Sequence, residues 1–165
     1  MTDASTRPAR PDDVPAIDAL VRALAQYEKE PDAVEATAAD LARALFGPDP
    51  HVHCEVAEVV GDAGLEVVGM AVWFVSYSTW RGRHGIWLED LFVHPAHRGR
   101  GLGRALLGAL AEQCRTRGWS RLEWAVLDWN APAHGFYRSI GAAPQDDWTT
   151  WRLDGAGLTA LGSTT

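Results

Sequence analysis

The run Arg98-Gly99-Arg100-Gly101-Leu102-Gly103 gathers three glycines and two arginines into six residues, directly ahead of an apolar helical pattern. Glycines there let the backbone approach a ligand with no Cβ in the way. The unpaired amides and positive dipole end of the following helix favour an anion. A nucleoside-triphosphate loop needs GxxxxGK and then Ser or Thr, and no such Lys and hydroxyl follow here. A dinucleotide fingerprint needs a third small residue at a set place; counted from Gly101, that place holds Leu106. The remaining pattern is R-x-x-G-x-G, met by Arg98, Gly101 and Gly103. It reads as a backbone cradle for a phosphate with Arg98, Arg100 and Arg104 around it, or as a tight turn with solvated arginines.

Two neighbouring acids, Glu89 and Asp90, lie just upstream in IWLEDLFV. In a regular strand they point to opposite faces. A carboxylate there is a candidate proton acceptor or an ordinary solvated strand end. Cys54 falls in a strand pattern and Cys114 on an apolar helix face, so both read as buried free thiols. His51 and His53 share one strand face, but no carboxylate or cysteine pattern completes a metal site, and none is expected.

These residues need a frame. Residues 4–9 read as a strand. Pro11 at a first helical position, Asp12 and Asp13 after it, and Ile17, Leu20, Val21 and Leu24 at helical spacing predict an amphipathic helix over 11–28. Thr37-Ala-Ala-Asp40 has the form of a capping box and opens a second helix that ends near Gly47-Pro48. Residues 51–60 and 65–75, joined by Gly61-Asp-Ala-Gly64, read as a hairpin. SYSTWRGRHG follows as a polar turn, with residues 76–84 expected to form a lid. Residues 86–93 read as a strand. Leu102, Ala105, Leu106, Ala109, Leu110 and Cys114 form one face of a helix ending near Gly118. A strand over 119–127, a short helix over 131–140 and a last strand over 148–153 complete the pattern. The expected fold class is α/β: a mixed, mostly antiparallel twisted sheet flanked by helices on both faces. One domain is expected over residues 1–165, frayed after about 154.

LEDLFVHPAHRGRGLGRALLGAL and LDWNAPAHGFYRSIGA resemble core segments of the GNAT superfamily of acyl-CoA-dependent acyltransferases. RPARPDDVPAIDALVRALAQYEK and SYSTWRGRHGIWLEDLFV resemble its diamine (spermidine/spermine) branch and bacterial relatives, some acting on thialysine. The likeness extends to about Leu153. It implies acetyl-CoA as co-substrate and acetyl transfer to the primary amine of a small molecule, such as a polyamine, diamine or lysine-like amine. The amine would attack directly in a ternary complex. It also implies a pyrophosphate cradle from Arg98, Gly99, Arg100, Gly101, Leu102, Gly103 and Arg104. Pantetheine would run beside Leu91, Phe92 and Val93, where the sheet splays and a main-chain amide polarises the thioester carbonyl. Asn130 matches a residue that hydrogen-bonds pantetheine, and also suits a helix N-cap; Phe136 joins the cofactor set.

A primary amine with a pKa of about 10.4 is neutral to roughly one part in a thousand at pH 7, so its proton needs a collector. By resemblance Glu89 is that base, through water, and Tyr137 returns a proton to the departing thiolate. Tyr137 is expected near the start of its helix. Tyr27, Glu28, Trp80, Trp87 and Asp90 would line the acceptor side, where aromatic faces attract a cation. Arg81, Arg83 and His84 bring positive charge toward that entrance, so a short amine is as plausible as a long polycation. The branch implies a homodimer, with Trp148 and Trp151 at an interface or in a core.

The 165 residues are 47% hydrophobic and 22% charged, which suits one globular domain. The net charge of -7 argues against a nucleic-acid partner. No apolar run of membrane-spanning length is present, and MTDASTRPARPDD lacks the apolar core of a signal peptide. A cytoplasmic location with no membrane partner is expected. A non-catalytic acyl-CoA-binding sensor and a protein lysine or N-terminal acetyltransferase remain open alternatives; a lid over 76–84 disfavours the latter.

Overall fold

A computed structural model describes residues 4–62 and 64–163. Ala63 of the expected hairpin turn and the outermost residues of both ends lie outside them. The chain divides into two compact units, the first reaching Ala125 and the second beginning at Val126.

The first unit carries β1 (Ala4–Pro8), α1 (Val14–Tyr27), α2 (Ala38–Phe46), β2 (His53–Gly61), β3 (Gly64–Ser78), β4 (Arg83–Val93), α3 (Leu102–Arg117) and β5 (Leu122–Trp124). The sheet runs β1-β2-β3-β4-β5. Its pairs are antiparallel except β4–β5, which is parallel. This is the expected mixed, mostly antiparallel class. Ile17 and Leu20 of α1 and Leu45 of α2 close over Cys54, Val56, Met70, Val72 and Phe92 on one face. On the other face α3 buries Leu106 and Leu110, and Gln113 donates to the Glu55 carboxylate at 2.9 Å. Both cysteines are buried and free; burial pushes the Cys54 thiol up to about 12.

Local chemistry explains the helix ends. A short 3-10 turn, Pro11–Asp13, precedes α1. The Asp13 carboxylate accepts the Arg10 amide at 2.7 Å and a two-point contact from Arg7 at 2.6 and 3.0 Å. Arg7 also donates to Glu58 of β2 at 2.9 Å, tying β1, β2 and the start of α1 together. Thr37 and Asp40 form the expected capping box on α2. At the far end of α1, Glu30 donates to the Ala25 carbonyl and Lys29 to that of Gln26, a Schellman closure. Lys29 holds its left-handed position with φ of 66°.

Three features differ from the sequence reading. The polar turn is short: Ser76, Tyr77 and Ser78 pair with Gly85, His84 and Arg83, so only residues 79–82 turn and there is no lid. The strand expected over 119–127 is confined to Leu122–Trp124. Residues 148–153 are not a strand among the described residues. Their Trp and Thr suit a pleated surface, but β propensity reflects packing against neighbours, and no strand of the second unit is available to pair with them. That unit carries α4 (Ala131–Ser139) and α5 (Gly155–Gly162), the latter in the segment after 154.

β4 also carries an irregularity. Val72 faces Asp90 and Trp73 faces Leu88, which leaves Glu89 as an extra residue with no cross-strand partner. This is a β-bulge. Directly opposed residues share a face, so Asp90 and Phe92 join Val72 and Met70 on the α1 face. Leu88 joins Trp73 on the α3 face.

Candidate active site

The glycine loop opens α3 as a bare helix end. Gly99 and Gly101 have φ of 76° and 80°, and a Cβ on either would meet nothing within 4 Å. No side chain caps Gly101, and the first turn holds no acid. By contrast, Thr37 caps α2 and Asn130 caps α4. Helical bonding starts with Ala105 donating to Gly101 at 2.9 Å, so the amides ahead of it have no intrahelical acceptor. The site thus offers backbone donors, open space and a positive dipole end, which fit a pyrophosphate. Leu102 buries its side chain, so only its backbone can contribute. Arg100 is exposed beside His97, 3.3 Å from its Nδ1.

Arg98 behaves differently. Its Nε donates to the Val93 carbonyl at 2.9 Å. Its guanidinium carbon lies 4.8 Å from the centre of the Tyr27 ring and 5.3 Å from that of Phe92. The side chain is thus turned toward the ends of β4 and α1. The cradle offered by Arg98 is its backbone.

The end of β4 is an open edge. β5 pairs only with Ile86, Trp87 and Leu88, so from Glu89 onward β4 has no β5 partner. The His94 amide donates to Val68 of β3 at 2.8 Å. Strand alternation therefore turns the amides of Leu91 and Val93 to the open edge and that of Phe92 toward β3. Of these three expected pantetheine contacts, Leu91 and Val93 present donors there. Phe92 does not, and its ring is buried.

The bulge gathers acids that a regular strand would separate. Asp90 feels Glu89 and Glu28, and burial together with these two charges pushes its carboxyl up to about 6. Burial also raises Glu28 above the usual carboxylate range. Trp87 donates its indole N–H to Glu89 at 3.0 Å. The expectation that Glu89 and Asp90 face opposite ways fails here, because the extra residue breaks the alternation. Tyr27, at the end of α1, stands 6.5 Å from Phe92, ring centre to ring centre. Tyr27, Glu28, Trp87, Glu89, Asp90 and Arg98 therefore belong to one neighbourhood.

Trp80 does not belong to it. It is 89% exposed in the β3–β4 turn, and the strand from Arg83 to Glu89 spans about 20 Å. Arg81 and Arg83 lie at that same hairpin end, and His84 faces Tyr77 with ring centres 5.0 Å apart. The positive charge expected near the entrance is thus remote from the acids. The resemblance places Glu28 and Asp90 together on the acceptor side; a glutamate ending an amphipathic helix and a two-acid bulge give no common signal of their own.

In the second unit, Asn130 accepts the Ala133 amide through its side chain at 3.3 Å, the N-cap role. His134 approaches the Leu127 carbonyl at 3.1 Å through Nε2. Tyr137 stands in the last turn of α4, not at its start, and its ring centre is 5.4 Å from that of Phe136. A helix capped by Asn130 only reaches Tyr137 two turns later.

Residues 17–142 match the model of the Acetyltransferase (GNAT) family. The chain is 39% identical over 149 residues to a thialysine N-epsilon-acetyltransferase of Bos taurus, covering 86% of this chain and 87% of the relative. It is 36% identical over 151 residues to one of Caenorhabditis elegans, covering 90% of each. Among solved structures, it resembles an integron cassette protein from the mobile metagenome of V. cholerae, with a TM-score of 0.79 and 25% identity, over 99% of this chain and 100% of that one.

Proposed function

Because this chain belongs to the Acetyltransferase (GNAT) family, we propose that it transfers an acetyl group from acetyl-CoA to the primary amine of a small molecule. The acceptor class is a diamine, polyamine or lysine-like amine, and the amine attacks directly in a ternary complex. The observation that carries this reading is the acidic cluster Glu28, Glu89 and Asp90 at the β4 bulge, in the same unit as the bare end of α3. Three carboxylates close together, two of them half-buried, attract a cation and hold its charge.

Acetyl-CoA supplies the activated acetyl group, and the chain's residues do the rest. The amides of the glycine loop bind the pyrophosphate, and the Leu91 and Val93 amides face the pantetheine edge. Asp90 and Glu28 hold the ammonium end of the acceptor. Glu89, fixed by Trp87, takes a proton through water as the amine attacks. Asp90, poised at about 6, is a second proton acceptor. Tyr137 donates to the departing sulfur. The two buried thiols take no covalent part.

No helix of the described residues is long and apolar enough to cross a membrane. Two free cysteines suit a reducing compartment, and the cytoplasm is the location we assign. The active form is a homodimer.

Thiol release from acetyl-CoA with thialysine, spermidine and ornithine tests the reading. Turnover is expected with at least one, falling about a hundredfold or more in Glu89→Gln and in Tyr137→Phe. Tight acetyl-CoA binding with no turnover on any amine defeats it.

A further inference from the structure

We propose that Arg98 is a positioning residue of the transfer reaction. Through one guanidinium it joins the glycine loop to the end of β4 and to Tyr27 at the end of α1. A ligand that settles the loop thereby fixes the amine side of the site. The inference rests on the reading above, in which the loop takes coenzyme A and Tyr27 and Glu28 face the acceptor.

The geometry is specific. The peptide between Val93 and His94 is gripped from both sides. Its N–H donates to Val68 of β3, and its carbonyl accepts Nε of Arg98 across the open edge. That edge is the one on which the Val93 and Leu91 amides face outward. The same guanidinium lies against Tyr27 and Phe92, whose rings also neighbour one another. The residue after Arg98 is Gly99, in a left-handed conformation that begins the cradle. Arg98 therefore links the anion-binding backbone, one residue away at Gly99, to a side chain that reaches α1. A planar guanidinium donates in its plane while stacking through its faces; a lysine ammonium cannot do both at once.

Glu28 follows Tyr27 directly and faces Asp90 electrically. Movement of the Tyr27 ring relative to β4 shifts Glu28 against Asp90, and with it the place for the acceptor's charge. Ordering of the loop by a ligand is expected to order the end of α1, and amine binding to strengthen coenzyme A binding by the same factor.

Hydrogen–deuterium exchange on the full chain, with and without coenzyme A, tests this directly. In the unaltered chain, coenzyme A is expected to slow exchange in a peptide covering residues 24–30 as well as in the loop. In Arg98→Met, at coenzyme A concentrations giving equal occupancy, the loop effect persists and the 24–30 effect is lost; Arg98→Lys restores part of it. Kinetics with thialysine give a second reading: Arg98→Met raises the amine KM about fivefold or more beyond any rise in the acetyl-CoA KM.

Tyr27→Leu carries the test if Arg98→Met fails to fold. It should keep coenzyme A affinity within about threefold while losing the same amine affinity, and the double variant should be no worse for the amine than the worse single one. Retained protection of 24–30 in Arg98→Met overturns the proposal. So does an effect confined to acetyl-CoA KM, which would make Arg98 a phosphate ligand only. Coenzyme A binding to the unaltered chain without protection at 24–30 overturns this inference alone. No binding of coenzyme A at all overturns the reading of the loop as well.

Discussion

Asp90 is held above its ordinary titration range because it is largely withdrawn from water and because Glu89 and Glu28 add like charge. Between about pH 4 and the value near 6, the folded chain keeps a proton that the unfolded chain has lost. The raised carboxyl therefore favours folding below that window, and the advantage disappears as pH rises through it. Asp90→Asn should accordingly stabilise the protein at pH 7.5 by about 2 kcal/mol in denaturant melts, with the gain fading below pH 4. The same variant should weaken amine binding and remove the rise in kcat/KM near pH 6 that is expected of the unaltered enzyme. A gain in stability without loss of acceptor affinity would separate the acid from the site. The roles proposed for Glu89 and Tyr137 rest on the resemblance of the segments around them. The partnership of Asp90 with Glu28 came from the resemblance alone, since they lie 62 positions apart and meet only through the packing of α1 on β4.

Elements with local signals read correctly from sequence, and elements that depend on neighbours did not. The Thr37–Asp40 box and the hairpin between β2 and β3 carry their instructions within a few residues. The start of β4 and the length of β5 depend on what lies beside them. Gly85 shows this dependence: a Cβ there would lie 2.7 Å from the Arg121 carbonyl and 3.1 Å from the Ser76 hydroxyl. The close approach is needed because Ile86 donates to Arg121 at 3.0 Å and Ser120 to His84 at 2.8 Å. Gly85→Ala should therefore cost about 2 kcal/mol or more by forcing the entry to β5 away from β4. Lys29 predicts the opposite sign. A side chain at φ of 66° is strained, and Lys29→Gly should gain about 1 kcal/mol, read as a higher melting temperature. An unchanged or lower value would mean that the lysine side chain offsets its own backbone strain.

At the scale of the whole chain, the apolar surface is unevenly spread. Trp148 is 73% and Trp151 91% exposed, and Leu158 and Leu161 of α5 are also exposed. Exposed apolar side chains in one C-terminal stretch are what the homodimer of the proposed function would cover. Sedimentation equilibrium should return twice the chain mass, and Trp148→Ser with Trp151→Ser should return a monomer. A monomer from the unaltered protein removes the dimer. The frayed tail expected from sequence reflects composition: small and polar residues reveal little about where a short helix such as α5 forms.

The extra residue at Glu89 changes how the chain tolerates editing. Before it, odd-numbered Trp87 faces α1; after it, even-numbered Asp90 and Phe92 do. Replacing Glu89 alters one side chain, but excising it would invert the parity of everything to one side of the cut. Either Asp90 and Phe92 would be carried to the α3 face, or Ile86 and Leu88 to the α1 face. A codon deletion in mid-strand would thus act on this fold as a frameshift acts on a gene. Across divergent descendants of this chain, the spacing between Leu88 and Asp90 should be held more strictly than the identity of the residue between them.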